Sequence, residues 1–366
     1  MSKITSTVRE AVVASGLRSG MTISFHHHLR NGDHVLNMVM REIALLGIRD
    51  LTVNASSLFD VHAELAEHIK SGVVTKLQTD YMSQALGSFI SEGGMDAPVE
   101  FRTHGGRPAD IASGKTPVDV AFIAAPAADN MGNLSGKTGK SACGSLGYAI
   151  PDAHYAKHVV AITDGLVPYP LTGWSIPETD VDQVVVVDSI GDPRGIVSGT
   201  TKITRDPVGL CMAMDAVRVI EASGLLKDGF SFQTGAGGAS LAAAKFLKDV
   251  MLRDHIHGSF GLGGITGYLV DMLNEGCFES LMDVQCFDLR AVESIRDNPR
   301  HQEISAVHYA SPGAKSSVVD SLDVVILGAT EVDTDFNVNV HTDSSGRIMG
   351  GSGGHSDTAA GAKLAM

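Results

Sequence analysis

The sequence predicts an α/β protein built from two duplicated domains, each a largely parallel sheet covered by helices, and three observations carry that prediction. First, LDVVILGATEVDTDFNVNV at 322–340 echoes VDVAFIAAPAADNMGNLS at 118–135, pairing Asp119 with Asp323, Asp129 with Asp333 and Asn133 with Asn337. Second, SGLRSGMTISFHHHLRNGDH, beginning at Ser15, echoes SGLLKDGFSFQTGAGGASL, beginning at Ser223, and sets Phe25 against Phe232. A period of roughly 200 residues means a duplicated domain, because solenoid repeats run only about 20 to 50 residues. Third, short unbroken apolar runs recur as AFIAA (121–125), HVVAI (158–162), VVVVD (184–188) and DVVIL (323–327), the mark of strands buried on both faces.

Along the chain, Asp33 can cap a helix whose apolar positions Leu36, Val39, Met40 and Ile43 follow helical spacing. In the second copy Ser240 is expected to cap Ala243, Phe246, Leu247 and Val250. The polar stretch SGTTKITRDP at 198–207 precedes renewed helical periodicity, so the domains are expected at 1–205 and 206–366. By the first repeat, the strands HVVAI and VVVVD have no counterpart in the second copy, whose sheet is therefore expected to be incomplete.

With 366 residues the chain exceeds the size at which one core keeps growing. A formal net charge of −14 argues against nucleic-acid and anionic-membrane binding. The start MSKITSTVREAVVASG lacks the apolar segment of a signal peptide, and no run is long enough to span a membrane, so a cytoplasmic location is expected. Cys143, Cys211, Cys277 and Cys286 form no CxxC pair, which fits a reducing compartment, and no metal site is expected. Cys143, in SACGSLG, is weighed as a nucleophile against the commoner reading of a small buried cysteine.

The repeat sets Glu331 where the first copy has Ala127, so one half gains a carboxylate just past an apolar strand. In doubly covered sheets ligands sit beyond the carboxyl ends of strands, which makes Glu331 the candidate catalytic residue. Three glycine-rich turns share its half: QTGAGGAS with Gly235, Gly237 and Gly238, FGLGGITG with Gly263 and Gly264, and GRIMGGSGGHSDTAAGA with Gly350, Gly351, Gly353 and Gly354. Their amides could hold an oxyanion or a CoA-like thioester. A dinucleotide reading of the first turn fails, because Ser240 replaces the last glycine and no acid follows at ribose spacing. Candidate carboxylate-binding groups lie in the first half: His28 and Arg30 in FHHHLRNGD, and Arg102, His104 and Arg107 in FRTHGGRPAD. Alternation along a strand turns neighbouring histidines to opposite faces, so the HHH run cannot present three ligands together.

These segments, with GNLSG, CGSLGYA, TDGLVPYP, DVQCFD and EVDTDFNVNV, follow one another as in the citrate lyase alpha subunits, which the chain resembles over essentially its whole length. ILGATEVDTDF also aligns Glu331 with the acyl-accepting glutamate of the wider CoA-transferase and acetyl-CoA hydrolase superfamily. The resemblance implies two CoA-transferase-like (NagB/RpiA-like) domains and an exchange of acetyl for citryl on an acyl-carrier thioester, releasing acetate. It implies no permanently bound cofactor. The substrate would be a dephospho-CoA derivative on the acyl-carrier (gamma) subunit, or acetyl-CoA in its place, with a beta subunit cleaving citryl and an oligomeric assembly. The family's chains continue past the AAGA turn, which again makes the second domain incomplete. Other readings are an acetyl-CoA hydrolase, a different carboxylate CoA-transferase, and an inactive scaffold subunit.

Overall fold

The computed structural model describes residues 2–197, 202–235 and 237–366. Eleven strands come from the first half: β1 (Ile4–Thr5), β2 (Thr22–Phe25), β3 (Leu51–Ala55), β4 (Val74–Thr79), β5 (Glu100–Phe101), β6 (Val120–Ala125), β7 (Ala127–Asp129), β8 (Leu134–Ser135), β9 (His158–Thr163), β10 (Leu166–Val167) and β11 (Gln183–Val186). Eight come from the second: β12 (Ser231–Thr234), β13 (Gly258–Ile265), β14 (Phe278–Cys286), β15 (His301–Glu303), β16 (Val324–Ile326), β17 (Glu331–Val332), β18 (Val338–Asn339) and β19 (Leu364–Ala365). The large sheet of the first half runs β1-β11-β9-β6-β2-β3-β4-β5, and that of the second runs β15-β14-β13-β12-β16-β19. Every neighbour in both is parallel. Read from opposite ends, β5-β4-β3-β2-β6-β9 and β15-β14-β13-β12-β16-β19 are one order used twice. β6 is buried at every residue, as helices on both faces of a parallel sheet require.

The repeat is visible at the level of single hydrogen bonds. Asp119 accepts the Thr22 N–H and pairs with Lys157, while Asp323 accepts the Ser231 N–H and pairs with Lys363. This correspondence shifts the second sequence echo by two residues. Ile23 pairs with Val120 as Phe232 pairs with Val324, so Ile23 rather than Phe25 is the structural twin of Phe232. A slip of two preserves the strand's inward face, which is why the echo still located the strand.

Two further expectations are corrected. Asp33, one residue before the N-cap His34, accepts the Val35 and Leu36 N–H groups at the start of the helix Val35–Leu45, but Ser240 lies inside the helix Gly238–Arg253, whose N-cap is Gly237. The HVVAI strand does have a counterpart: β19 pairs with β16 as β9 pairs with β6. Part of the expected boundary, residues 198–201, lies outside the described residues. Beyond it, Asp206 caps the helix Pro207–Ala222 through the Gly209 N–H, with proline at the first position. Among the described residues no helix is long and apolar enough to cross a membrane.

Candidate functional site

The carboxyl ends of the two sheets face each other across a cavity of about 310 Å³. The first half contributes His27 beyond β2, Ser57 beyond β3, Tyr81 beyond β4, and also Arg30, Phe59, His104 and Tyr148. The second contributes Thr234 and Gly235 at the end of β12, Gly264 in β13, Gln285 in β14, Phe287, Tyr309, Leu327 beyond β16, and the turn Gly351–His355. Parallel strands leave unfilled space at their carboxyl ends where the chain turns away, so two such sheets set end to end enclose a site by topology.

The glycine turn at 350–354 reaches across to the first half. The His104 N–H donates to Gly353 O at 2.9 Å, and the Gly353 N–H donates to Asp80 O at 3.1 Å. Behind it, Asp357 accepts from the Thr103 hydroxyl and the Gly105 N–H, docking the helix His355–Gly361 onto the same loop. Glycine is required at 351, where a Cβ would stand 2.3 Å from Asp80 O, and at 353, where φ is +52°.

Among the glycines expected to line the site, Gly235, Gly264, Gly351, Gly353 and Gly354 do so, whereas Gly237, Gly238, Gly263 and Gly350 do not. Gly237 caps a helix, Gly238 packs on Lys202 O and Thr204, Gly263 lies under the Gln233 side chain, and the Gly350 N–H is bound to His341 O. The amides of Gly235 and Gly353 are also committed, to Ile326 O and Asp80 O. Gly351 and Gly354 keep N–H groups with no acceptor among the described residues.

The basic candidates separate sharply. Arg107 is 2% exposed and fully engaged, with both terminal nitrogens on Asp152 at 2.8 and 2.7 Å and Nε on Asn54. Arg102 pairs at the surface with Glu100 and Asp110. Neither lines the cavity, which corrects the expectation that they bind a substrate carboxylate: the chain's own acids already satisfy both. His28 is buried behind the wall, its Nδ1 against Nδ1 of His26, and burial pushes its pKa well below the usual imidazole range. His27, just past the end of β2, lines the cavity instead.

Arg30 is different. Its guanidinium lies 5.2 Å from the Phe59 ring centre and 4.9 Å from that of Phe287, and its Nη1 is enclosed with no hydrogen-bond partner among the described residues. Its backbone sits at φ 52°, in the left-handed region, and burial pulls its pKa down. A half-buried cation held between two rings, with a free donor and no carboxylate, is arranged for an incoming anion. His104 also faces the cavity, with Nδ1 on Asp80 at 2.8 Å.

Glu331 does not line the cavity. The chain passes the wall at Leu327 and carries Glu331 out onto the antiparallel β17–β18 hairpin. There its carboxylate accepts from Ser344 and Asn339, and those hydrogen bonds hold its pKa below the usual carboxylate range. Cys143 is buried in the core, and burial pushes its thiol far up, away from nucleophilic use. Phe59, Tyr309 and Asp80, which stands behind His104, lie in no segment marked by the sequence, whereas Tyr148, Gln233 and Phe287 lie within CGSLGYA, QTGAGGAS and DVQCFD without having been singled out as residues; only topology brings them together.

The whole chain, residues 1–366, matches the family model "Citrate lyase, alpha subunit". It is 50% identical over 364 residues to the citrate lyase alpha chain of Klebsiella pneumoniae, covering all of this chain and 72% of that one. To the Escherichia coli K12 citrate lyase alpha chain it is 49% identical, covering 71% of that protein. A crystal structure from Streptococcus mutans, reported under the name of a citrate lyase alpha subunit in complex with citrate, superposes with a TM-score of 0.97 at 51% identity, over 100% of this chain and 72% of that one. A malonate decarboxylase alpha subunit from Acinetobacter baumannii shares the fold at 20% identity, with a TM-score of 0.73 over 98% of this chain and 65% of that one. With the family model matched from end to end and half of the residues identical to these relatives, the chain belongs to the citrate lyase alpha subunit family.

Proposed function

We propose that the chain exchanges acyl groups between citrate and an acetyl thioester, the CoA-transferase step of citrate lyase. The carrier would be a dephospho-CoA derivative on an acyl-carrier gamma subunit, for which acetyl-CoA can substitute, and a beta subunit would cleave the citryl product. The observation that carries this reading is the uncommitted Arg30 guanidinium in a cavity walled by both halves, in a chain whose net charge is −14. A polycarboxylate can enter such a protein only where a cation is left without an acid, and Arg30 meets that need, with His104, held by Asp80, beside it. The free N–H groups of Gly351 and Gly354 are suited to the tetrahedral oxyanion.

In the direct route a citrate carboxylate attacks the thioester carbonyl, and the thiolate leaves. The thiolate then attacks the citryl carbonyl of the mixed anhydride, and acetate departs. No proton need move, so the site requires charge complementarity more than a base. Glu331, ionised at neutral pH, could take the first role itself as acyl acceptor. Its position outside the cavity wall favours the direct route, with Glu331 guiding the carrier arm. The test is an exchange assay with acetyl-CoA and a panel of acids. Citrate-dependent release of acetate supports the proposal; thioester loss at the same rate without any acid would replace it with hydrolysis. Hydroxylamine trapping of a modified Glu331 would select the covalent route.

A further inference from the structure

Asp80, which follows β4, is the buried acid of the site, and it is joined to two of the site's working parts. Its Oδ2 meets His104 Nδ1 at 2.8 Å, its main-chain oxygen accepts the Gly353 N–H at 3.1 Å, and the His104 N–H closes the ring on Gly353 O at 2.9 Å. The side chain is 1% exposed, and its second oxygen, Oδ1, has no hydrogen-bond partner among the described residues. An enclosed carboxylate with half of its acceptor capacity unmet retains protons strongly. With Nδ1 turned onto Asp80, the Nε2 edge of His104 is left for the cavity. The Tyr148 ring, 4.4 Å away, and the His27 ring, 5.5 Å away, hold the imidazole from the side.

We infer that Asp80 is a positioning residue that fixes His104 through Nδ1 and keeps a second proton on Nε2, so that His104 donates a hydrogen bond to a carboxylate of the acceptor acid. The proton count does not depend on how the pair shares charge. With two protons, either as carboxylate and imidazolium or as carboxylic acid and neutral imidazole, Nε2 is a donor; with one proton, it is an acceptor facing an anion. Burial, first among the causes, pushes the Asp80 carboxyl up, in the direction that keeps the second proton. The other charged or titratable groups facing the pair are His27 and His28 from beyond β2, Arg107 from the helix Gly106–Ala112, Tyr148, and His355 and Asp357 from the helix His355–Gly361. Arg107 is already bound by Asp152. Acceptor-acid binding should therefore weaken as pH rises through the titration of the pair, and the Asp80→Ala protein, which has neither a carboxylate to stabilise an imidazolium nor an amide to donate to Nδ1, should weaken at lower pH.

This inference rests on the citrate reading above, and the experiment separates the two. Citrate binding by calorimetry from about pH 5.5 to about pH 8, reported at each pH as the ratio of variant to wild type so that citrate's own ionisation cancels, should show Asp80→Ala binding at least about tenfold weaker at neutral pH and recovering toward the acid end. His104→Gln should bind weakly with no such recovery, and the KM for acetyl-CoA should stay within about twofold of wild type in both. Nitrogen-15 histidine spectra of the unliganded protein should show His104 protonated on both nitrogens to a higher pH in wild type than in Asp80→Ala. A wild type that binds no citrate would overturn the citrate reading alone, since the spectra still report on the pair. Spectra unchanged by Asp80→Ala, a ratio constant across pH, or equal losses for citrate and acetyl-CoA would overturn the role of Asp80.

Discussion

The β7–β8 hairpin of the first half and the β17–β18 hairpin of the second are built alike and finished differently. In both, an aspartate closes the turn on itself. Asp129 accepts the N–H groups of Met131 and Asn133 and the Asn133 amide, while Asp333 accepts those of Asp335 and Asn337 and the Asn337 amide. In the first half this unit is covered: β10 adds parallel to β7, Leu171 N–H reaches Asp129, Glu178 binds Asn133, and Leu134 is fully buried. In the second half, among the described residues, Val332, Phe336 and Val338 are 54%, 85% and 59% exposed. A turn held by its own side chains needs no cover to form, so cover is free to differ between copies. The difference permits an acid at 331. Ala127, its twin, is 1% exposed, and a carboxylate there would be desolvated without a partner.

The largest expected effect tests that last statement. Ala127→Glu should destabilise the protein by about 3–5 kcal/mol, as an unpaired charge forced into a dry site does. An unchanged thermal midpoint would mean that burial does not distinguish the hairpins. Next, Glu331→Gln should slow acyl exchange by about 100-fold, or about 2.7 kcal/mol in the barrier, while leaving the melting temperature in place. Wild-type exchange would remove Glu331 from the reaction. Third, Asp129→Ala should cost about 2 kcal/mol because it strands buried donors, whereas Asp333→Ala should cost under about 1 kcal/mol because water replaces the lost partners. Equal losses in urea denaturation would contradict the contrast in cover. The smallest effect concerns what the halves share. Lys157→Met and Lys363→Met break equivalent exposed ion pairs and should each change stability by at most about 0.5 kcal/mol, so a large asymmetry would mean that the pairs are not equivalent.

The duplicated architecture was legible because its signals are local. The Asp and Asn of each hairpin turn lie four residues apart, and the apolar runs encode burial on both faces within a single strand. The glycine turn at 350–354 was legible for the same reason, since close backbone approach leaves a mark at the position itself. The residues proposed to bind a carboxylate were only half legible. Arg30 and His104 were singled out together with Arg102, Arg107 and His28, and nothing adjacent in sequence separated them. Asp152, which occupies Arg107, stands far along the chain from it, and Phe287, which packs against Arg30, belongs to the other half.

The sequence by itself determined the turns, the caps and the doubly buried strands, because each depends on hydrogen bonds or periodicities spanning only a few residues. Only the tertiary structure decided which of the candidate arginines has no carboxylate partner among the described residues, which hairpin is covered, and that Asp80 stands behind His104 and Gly353. Charge pairing and burial are relations between residues distant in sequence, and their energies are fixed only when the two sheets meet end to end.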